Sequence, residues 1–344
     1  MSRNLYINTT KCKKVSRPPI WLMRQAGRYM SSYQDIRKNT PFKTCIYTPD
    51  LIKKITLLPI NELQPDAAIL FSDILVIIDA LGLDLVYKEK QGPIVTNPIQ
   101  TPKDVDNLSL RYKDKIFSPI MQGITACKKS LDPLNIPLIG FAGAPFTLAT
   151  YLIEGKAVGN LQKTKTFYYH YPEAFQTLLD ILSNNIIEYL NLQLEHHVDA
   201  LQLFDTWAGL LPWEEMQKFS ITPMKKIIQQ LKNSRQVPIT VFCKGSSLTA
   251  SELCKTGANV IGIDWQGDLV TLRKELPKDI ALQGNLDPLL LFAPQETIKA
   301  KVLSLLDTLK DQNGIILNVG HGLLPQTPYE NVKFLIDLVK SYRY

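Results

Sequence analysis

The chain has 344 residues, 45% hydrophobic and 21% charged, with a formal net charge of +7. This is the composition of a globular protein with room for one large α/β domain or two small ones. The longest apolar segment, residues 67–80, is broken by Ser72, Asp73 and Asp79 and cannot span a bilayer.

The charge is unevenly placed. The first 34 residues contain Arg3, Lys11, Lys13, Lys14, Arg17, Arg24 and Arg28 and no acid, so the remainder is close to neutral. Such a local excess suits nucleic acid or a small polyanion. The opening MSRNLYINTTKCKK lacks the apolar core of a signal peptide. Cys12, Cys45, Cys127, Cys243 and Cys254 are odd in number and form no C-x-x-C pair. That argues against a disulfide framework and a Cys-rich zinc site, and for a reducing, cytoplasmic setting.

Residues 18–30 read PPIWLMRQAGRYM. Read as a helix, the spacing of four puts Arg24 and Arg28 on one face. Guanidinium pairs with carboxylate through two parallel hydrogen bonds and stays charged at any relevant pH. The plain alternative is a solvated helix face or ion pairs to distant acids, but Trp21, Leu22, Met23 and Tyr29 set the pair against packed surface. Gly27 suggests a bend or a close approach.

The first strand-like run is AAILF (67–71), which runs into Ser72-Asp73. Asp73 has apolar neighbours, so its carboxylate needs donors or its pKa rises; capping a helix is the competing role. Six further runs follow: LIGFA (138–142), ALQLF (200–204), ITVFC (239–243), NVIGI (259–263), IALQG (280–284) and IILNV (315–319). Each is short and nearly continuously apolar, as parallel strands buried on both faces are. Helical periodicity is clearest over 174–196 and 295–310. An eighth strand is sought at 20–23 or 94–96.

Polar residues gather where these runs end: Asp205-Thr206-Trp207, Lys244-Gly245, Asp264-Trp265, Asn285 and Gly320-His321-Gly322. Functional groups at many strand ends are the habit of a (β/α)8 barrel, whereas an open doubly wound sheet concentrates them at one switch point. No nucleotide-binding glycine motif follows a strand. The expected fold is a single α/β domain over residues 1–344, a (β/α)8 TIM-type barrel with a short N-terminal extension. His321 lies between two glycines that allow close approach to a ligand; His170, His196 and His197 read as structural. The hydroxyls of Tyr151 and Thr206 suit a polar ligand or a backbone carbonyl. No Ser-His-Asp signature and no His/Cys spacing for a metal is present, so the chemistry must use the substrate's own electronics, with no metal or organic cofactor.

WLMRQAGRYM, AAILFSDIL, GFAGAPFTLATYLIEG, LFDTWAG and NVGHGLLPQTP occur in this order, and together they resemble the uroporphyrinogen decarboxylase family over essentially the whole chain. The resemblance implies a homodimeric barrel. The implied substrate is uroporphyrinogen III, a tetrapyrrole with an acetate and a propionate on each ring, and the implied product is coproporphyrinogen III, in which the acetates have become methyls. It further implies that Arg24 and Arg28, with the backbone of Gln25, Ala26 and Gly27, bind substrate carboxylates. Phe42 would line the pocket, Asp73 would face the macrocycle centre, and Tyr151, Thr206 and His321 would contact substrate side chains. The resemblance gives Arg24 the role of proton donor; a guanidinium is a poor acid, so a water or a substrate carboxyl stays open for that step.

Two rivals from the same superfamily or pocket are a corrinoid-linked zinc methyltransferase and a non-catalytic tetrapyrrole binder. The methyltransferases carry a His-x-Cys pair for zinc, and here Val241-Phe242-Cys243 lacks the His. Zinc needs about four ligands. A nucleic-acid-binding role finds no aromatic–basic interleaving to support it.

Overall fold

The computed structural model of the chain describes residues 2–88, 92–109, 112–157, 159–232 and 236–344. All seven apolar runs form strands: β1 (Ala68–Ile69), then, after a hairpin of β2 (Leu85–Lys88) and β3 (Gly92–Val95), β4 (Leu138–Gly143), β5 (Ala200–Asp205), β6 (Ile239–Cys243), β7 (Val260–Gly262), β8 (Ala281–Leu286) and β9 (Ile315–Val319). They make one curled parallel sheet in the order β1-β4-β5-β6-β7-β8-β9. Every residue of β4, β5, β6, β7 and β9 is buried, as helices covering one face and a filled interior require.

The helices follow from the same sequence logic. Pro172–Glu195 starts with proline in its first turn, where a missing N–H costs nothing. Its buried side chains, Phe175, Leu178, Leu179, Leu182, Ile186, Tyr189 and Leu190, recur at three and four residues and turn one face inward. Pro145–Glu154 begins directly after β4 in the same manner.

Inside the curl, Ala67, Ile139, Ala200, Val260, Ala281 and Ile316 pack with Trp21 and with Tyr6 of the N-terminal helix Ser2–Thr10. Above them the Trp21 indole N–H donates to Gln283 Oε1 (3.0 Å), and Gln283 Nε2 donates to Gln202 Oε1 (3.3 Å). The two sites considered for another strand behave differently. Residues 94–96 belong to the separate antiparallel hairpin, where Ile94 faces Val86. Ile20 makes a parallel bridge to Leu317 of β9, and its carbonyl accepts from the Asp66 N–H (2.7 Å), next to β1. The seven N-terminal cations are divided. Arg17 grips buried Asp66 through two hydrogen bonds (2.6 and 2.7 Å), and Arg3 pairs with Asp132 and Asp199. Arg24 and Arg28 are exposed and have no ion pair among the described residues.

Candidate active site

The arginine segment is a chain of turns and not a helix, which corrects the reading of Arg24 and Arg28 as a helical i,i+4 pair. Arg24 has φ +64°, in the left-handed region. The turn is imposed by tertiary bonds: the Met23 N–H donates to Asn318 Oδ1 (2.9 Å), the Leu323 N–H to the Met23 carbonyl (2.9 Å), and Gln25 Nε2 to the Ala67 carbonyl (3.1 Å). The Gln25 side chain is therefore a buried brace between the turn and the start of β1, and its backbone is engaged as well: the N–H donates to the Leu22 carbonyl (2.9 Å) and the carbonyl accepts the Tyr29 hydroxyl (2.6 Å). Arg24 lies flat on Gly322: a Cβ there would come within 2.4 Å of Arg24 Cδ. This is a physical reason for glycine after His321.

Asp73 is half-buried beyond β1. One oxygen accepts the Leu75 N–H at 2.8 Å, so the capping-type bond foreseen as its alternative role exists, but it uses a single oxygen. Burial raises the pKa of Asp73 to about 6; the Leu75 N–H, the nearby Tyr87 hydroxyl and the Arg24 charge pull it down, and Asp79 pushes it up. The Tyr87 hydroxyl is buried beside Asp73, yet it makes no hydrogen bond of ordinary geometry among the described residues.

Arg24 also sets the field at two other predicted residues. Tyr151, on the helix after β4, is raised to about 12 by burial and by Asp73, against the influence of Trp207 and Arg24. Its ring meets Trp207 edge-on at 6.1 Å. His321 is lowered to about 4, by burial first and then by Arg24 and Lys244, with Asp264 opposing. It is a neutral imidazole at neutral pH. Arg24, Asp73, Tyr151 and His321 thus share one electrostatic environment. Phe42 joins through Tyr87 (ring centroids 4.7 Å) and Phe71 (5.9 Å). Arg28 acts on Tyr33. Thr206 follows β5 beside Trp207 and makes no protein hydrogen bond among the described residues.

Between these polar groups, rings from successive strands meet in sequence: Phe141 with Phe204 at 5.6 Å, Phe204 with Phe242 at 6.2 Å, and Phe242 with His321 at 6.3 Å. Sequence reasoning missed several neighbours. Asp79, in the buried helix Val76–Ala80, is held by Lys43 Nζ (2.7 Å) and the Tyr47 hydroxyl (2.7 Å). A lone acid within the apolar VIIDA was the available signal, since a buried carboxylate demands partners. Among the described residues no group of three or more His, Cys, Asp or Glu is placed to hold a metal ion, and no helix is long and apolar enough to cross a membrane.

A curled parallel sheet with exposed guanidiniums, a half-buried carboxylate and packed aromatic rings near its C-terminal strand ends defines an α/β protein with a mixed-charge, aromatic-lined set of candidate site residues there. The solved methyltransferase from Methanosarcina mazei shares the fold, with a TM-score of 0.83 at 20% identity over 98% of each chain. The chain matches the uroporphyrinogen decarboxylase (URO-D) family over residues 1–342. It is 42% identical to the uroporphyrinogen decarboxylase of Protochlamydia amoebophila, over 98% of this chain and 91% of that one. To that of Vesicomyosocius okutanii it is 41% identical, over 98% and 97%. The chain belongs to the uroporphyrinogen decarboxylase family.

Proposed function

We propose that this protein is a carboxy-lyase that converts the four acetates of uroporphyrinogen III to methyls, yielding coproporphyrinogen III for tetrapyrrole and haem biosynthesis. The observation that carries the reading is the half-buried Asp73 carboxylate, which among the described residues accepts one hydrogen bond and lies in the field of Arg24, itself without an ion pair among them.

In this reading Arg24 and Arg28 receive peripheral carboxylates, helped by the backbone N–H groups of Ala26 and Gly27, while the Gln25 backbone is held within the turn by Leu22 and Tyr29. The exposure of both guanidiniums supports this, because a paired cation would first have to give up its partner. Phe42 and the edges of the Phe141 and Phe204 rings offer apolar surface to the macrocycle, with buried Phe242 packed beneath them. Tyr151, Thr206 and neutral His321 offer hydrogen bonds to its side chains.

The free lone pairs of Asp73 accept the pyrrole N–H groups. When a proton adds to a ring carbon, the pyrrole becomes a cation. The electrons of the breaking C–CO2 bond then flow into it and leave an exocyclic methylene. A second proton converts the methylene to methyl, and loss of the ring proton restores the pyrrole. A fixed anion beside the developing cation lowers its energy without any reorganisation during the step. Arg24 is near enough to the site to relay a proton between substrate carboxyl, water and ring; its guanidinium alone is a poor acid. No step in this scheme draws on a metal or an organic cofactor.

The same reading makes the chain one domain, a (β/α)8 barrel in which residues 19–21 serve as the eighth stave. Its support is the bridge from Ile20 to β9 together with the Asp66–Ile20 hydrogen bond. A homodimer in the cytoplasm completes it, on family likeness and on five free thiols. The methyltransferase alternative shares the fold, but Cys243, the residue nearest its zinc motif, is buried with its thiol pKa pushed far up by burial and by Asp205.

The test is anaerobic incubation of purified protein with uroporphyrinogen III, followed by chromatography of the oxidised products. Stepwise appearance of the seven- to four-carboxyl species is expected. Binding without any loss of carboxyl groups would leave only the non-catalytic carrier.

A further inference from the structure

Lys244 immediately follows β6, the central strand of the sheet, while the arginine turn lies by the edges, next to β9 and β1. Its ammonium sits 5.8 Å from the Trp265 ring centroid. The Trp265 ring in turn meets the His321 ring edge-on at 6.1 Å, and Phe242, two residues before Lys244, meets the other side of His321 at 6.3 Å. The side chain is exposed and has no ion pair among the described residues.

The backbone beneath it is fixed with unusual care for an exposed lysine. Buried Asp264 accepts the N–H groups of Gly245 and Ser247, each at 3.0 Å. The Lys244 carbonyl lies so close to Gly209 that a Cβ there would come within 1.9 Å of it. An aromatic face holds the ammonium by its ring quadrupole without neutralising it, so the charge stays available to an anion.

Resting on the functional reading above, we propose that Lys244 is a third substrate-binding cation, which takes a peripheral carboxylate of the macrocycle across the mouth from Arg28. Arg24 and Arg28 lie together beside β9 and β1, whereas the macrocycle carries two carboxylates on each of four rings. A cation after β6 supplies a contact on another side of it, and the Trp265 ring, which holds the ammonium and meets His321, ties it to the same group of residues. An ammonium gives charge without a fixed fork, which suits a contact that must tolerate each ring in turn.

The experiment compares wild type with Lys244→Met and Lys244→Arg. It measures KM and kcat for uroporphyrinogen III at low and high salt, and the dissociation constant for oxidised uroporphyrin by tryptophan fluorescence. The Met variant should raise KM and the dissociation constant by about tenfold at low salt, with kcat within about twofold and a flatter salt dependence. The Arg variant should recover most of the affinity. An active wild type whose Met variant keeps its KM and dissociation constant overturns the assignment, as does a variant that loses kcat at unchanged KM. An inactive wild type whose Met variant still loses uroporphyrin affinity overturns the decarboxylase reading and leaves Lys244 as a ligand contact.

Discussion

Three buried or half-buried carboxylates sit at the C-terminal ends of strands of the parallel sheet, and they fall into two regions. On the β5 to β7 side, Asp205 accepts the Thr147 N–H (3.0 Å), the Thr147 hydroxyl (2.6 Å) and the Ser220 hydroxyl (2.6 Å), and Asp264 accepts two backbone N–H groups. On the β1 side, Asp73 accepts one. Burial raises Asp205 and Asp73 alike to about 6, so a perturbed pKa does not tell the two apart. Unused lone pairs do. A carboxylate filled by its own protein orients backbone and loops, whereas one with open acceptor sites has capacity for a ligand.

The strongest way to break this comparison is Asp73→Asn. The amide keeps an oxygen for the Leu75 N–H, so the fold should persist. The anion is lost, and with it about a hundredfold or more in kcat. For wild type, kcat/KM should fall as pH drops through about 6, where Asp73 takes up its proton in the free enzyme; the Asn variant should lack that limb. Near-normal turnover by the Asn variant would place the essential anion elsewhere.

Asp205→Ala should do the reverse. It strands three donors in a fully buried place, which costs about 2–3 kcal/mol. Chemical denaturation should register this loss, while protein that remains folded keeps most of its kcat. A variant of wild-type stability would mean that the donors find new partners.

A smaller effect is expected at the rim. Arg28→Ala should raise KM by about tenfold, a typical loss for one charge-assisted contact. Arg28→Lys should recover only part, because an ammonium cannot reproduce the two parallel bonds of a guanidinium. Equal KM for the Lys variant and wild type would show that charge alone matters there.

The contrast also explains what could be seen in the sequence. The strands were legible because each is an apolar run that stops abruptly at polar residues, and IILNV followed by Gly320-His321-Gly322 is the plainest case. Asp73 and His321 were legible for the same reason. The turn at Arg24 was not. Its left-handed backbone is enforced by Asn318, Leu323 and Ala67, which lie far away in the chain. Nor was the wall of Tyr47, Asp79, Lys43 and Tyr87, since two helices and a hairpin distant in sequence meet there only in the folded chain. Whether a carboxylate is filled or open is also a tertiary property: Asp205 and Asp73 both follow apolar strands, and only the folded arrangement of Thr147 and Ser220 separates them.

The smallest expected effect is also the most discriminating, because it concerns stability at a residue assigned to function. The folded pKa of Asp73 lies above the ordinary value of 3.8, so the native state binds the proton more tightly than the unfolded chain. Whatever this site contributes is therefore fully present below about 4 and is lost as pH rises through about 6. At pH 7.5 the empty site carries a carboxylate that it solvates poorly. The Asn variant removes that charge and keeps the Leu75 bond, so it should be more stable than wild type at pH 7.5. Allowing for partial exposure of the group, the gain is about 1 kcal/mol, or roughly 2 °C in Tm. The difference should vanish near pH 4, where wild-type Asp73 is protonated. A Tm series for both proteins from pH 4 to 8 reads this directly. Coincident curves at every pH would mean that the empty site already solvates the charge as well as water does, and the open-acceptor account of Asp73 would fail.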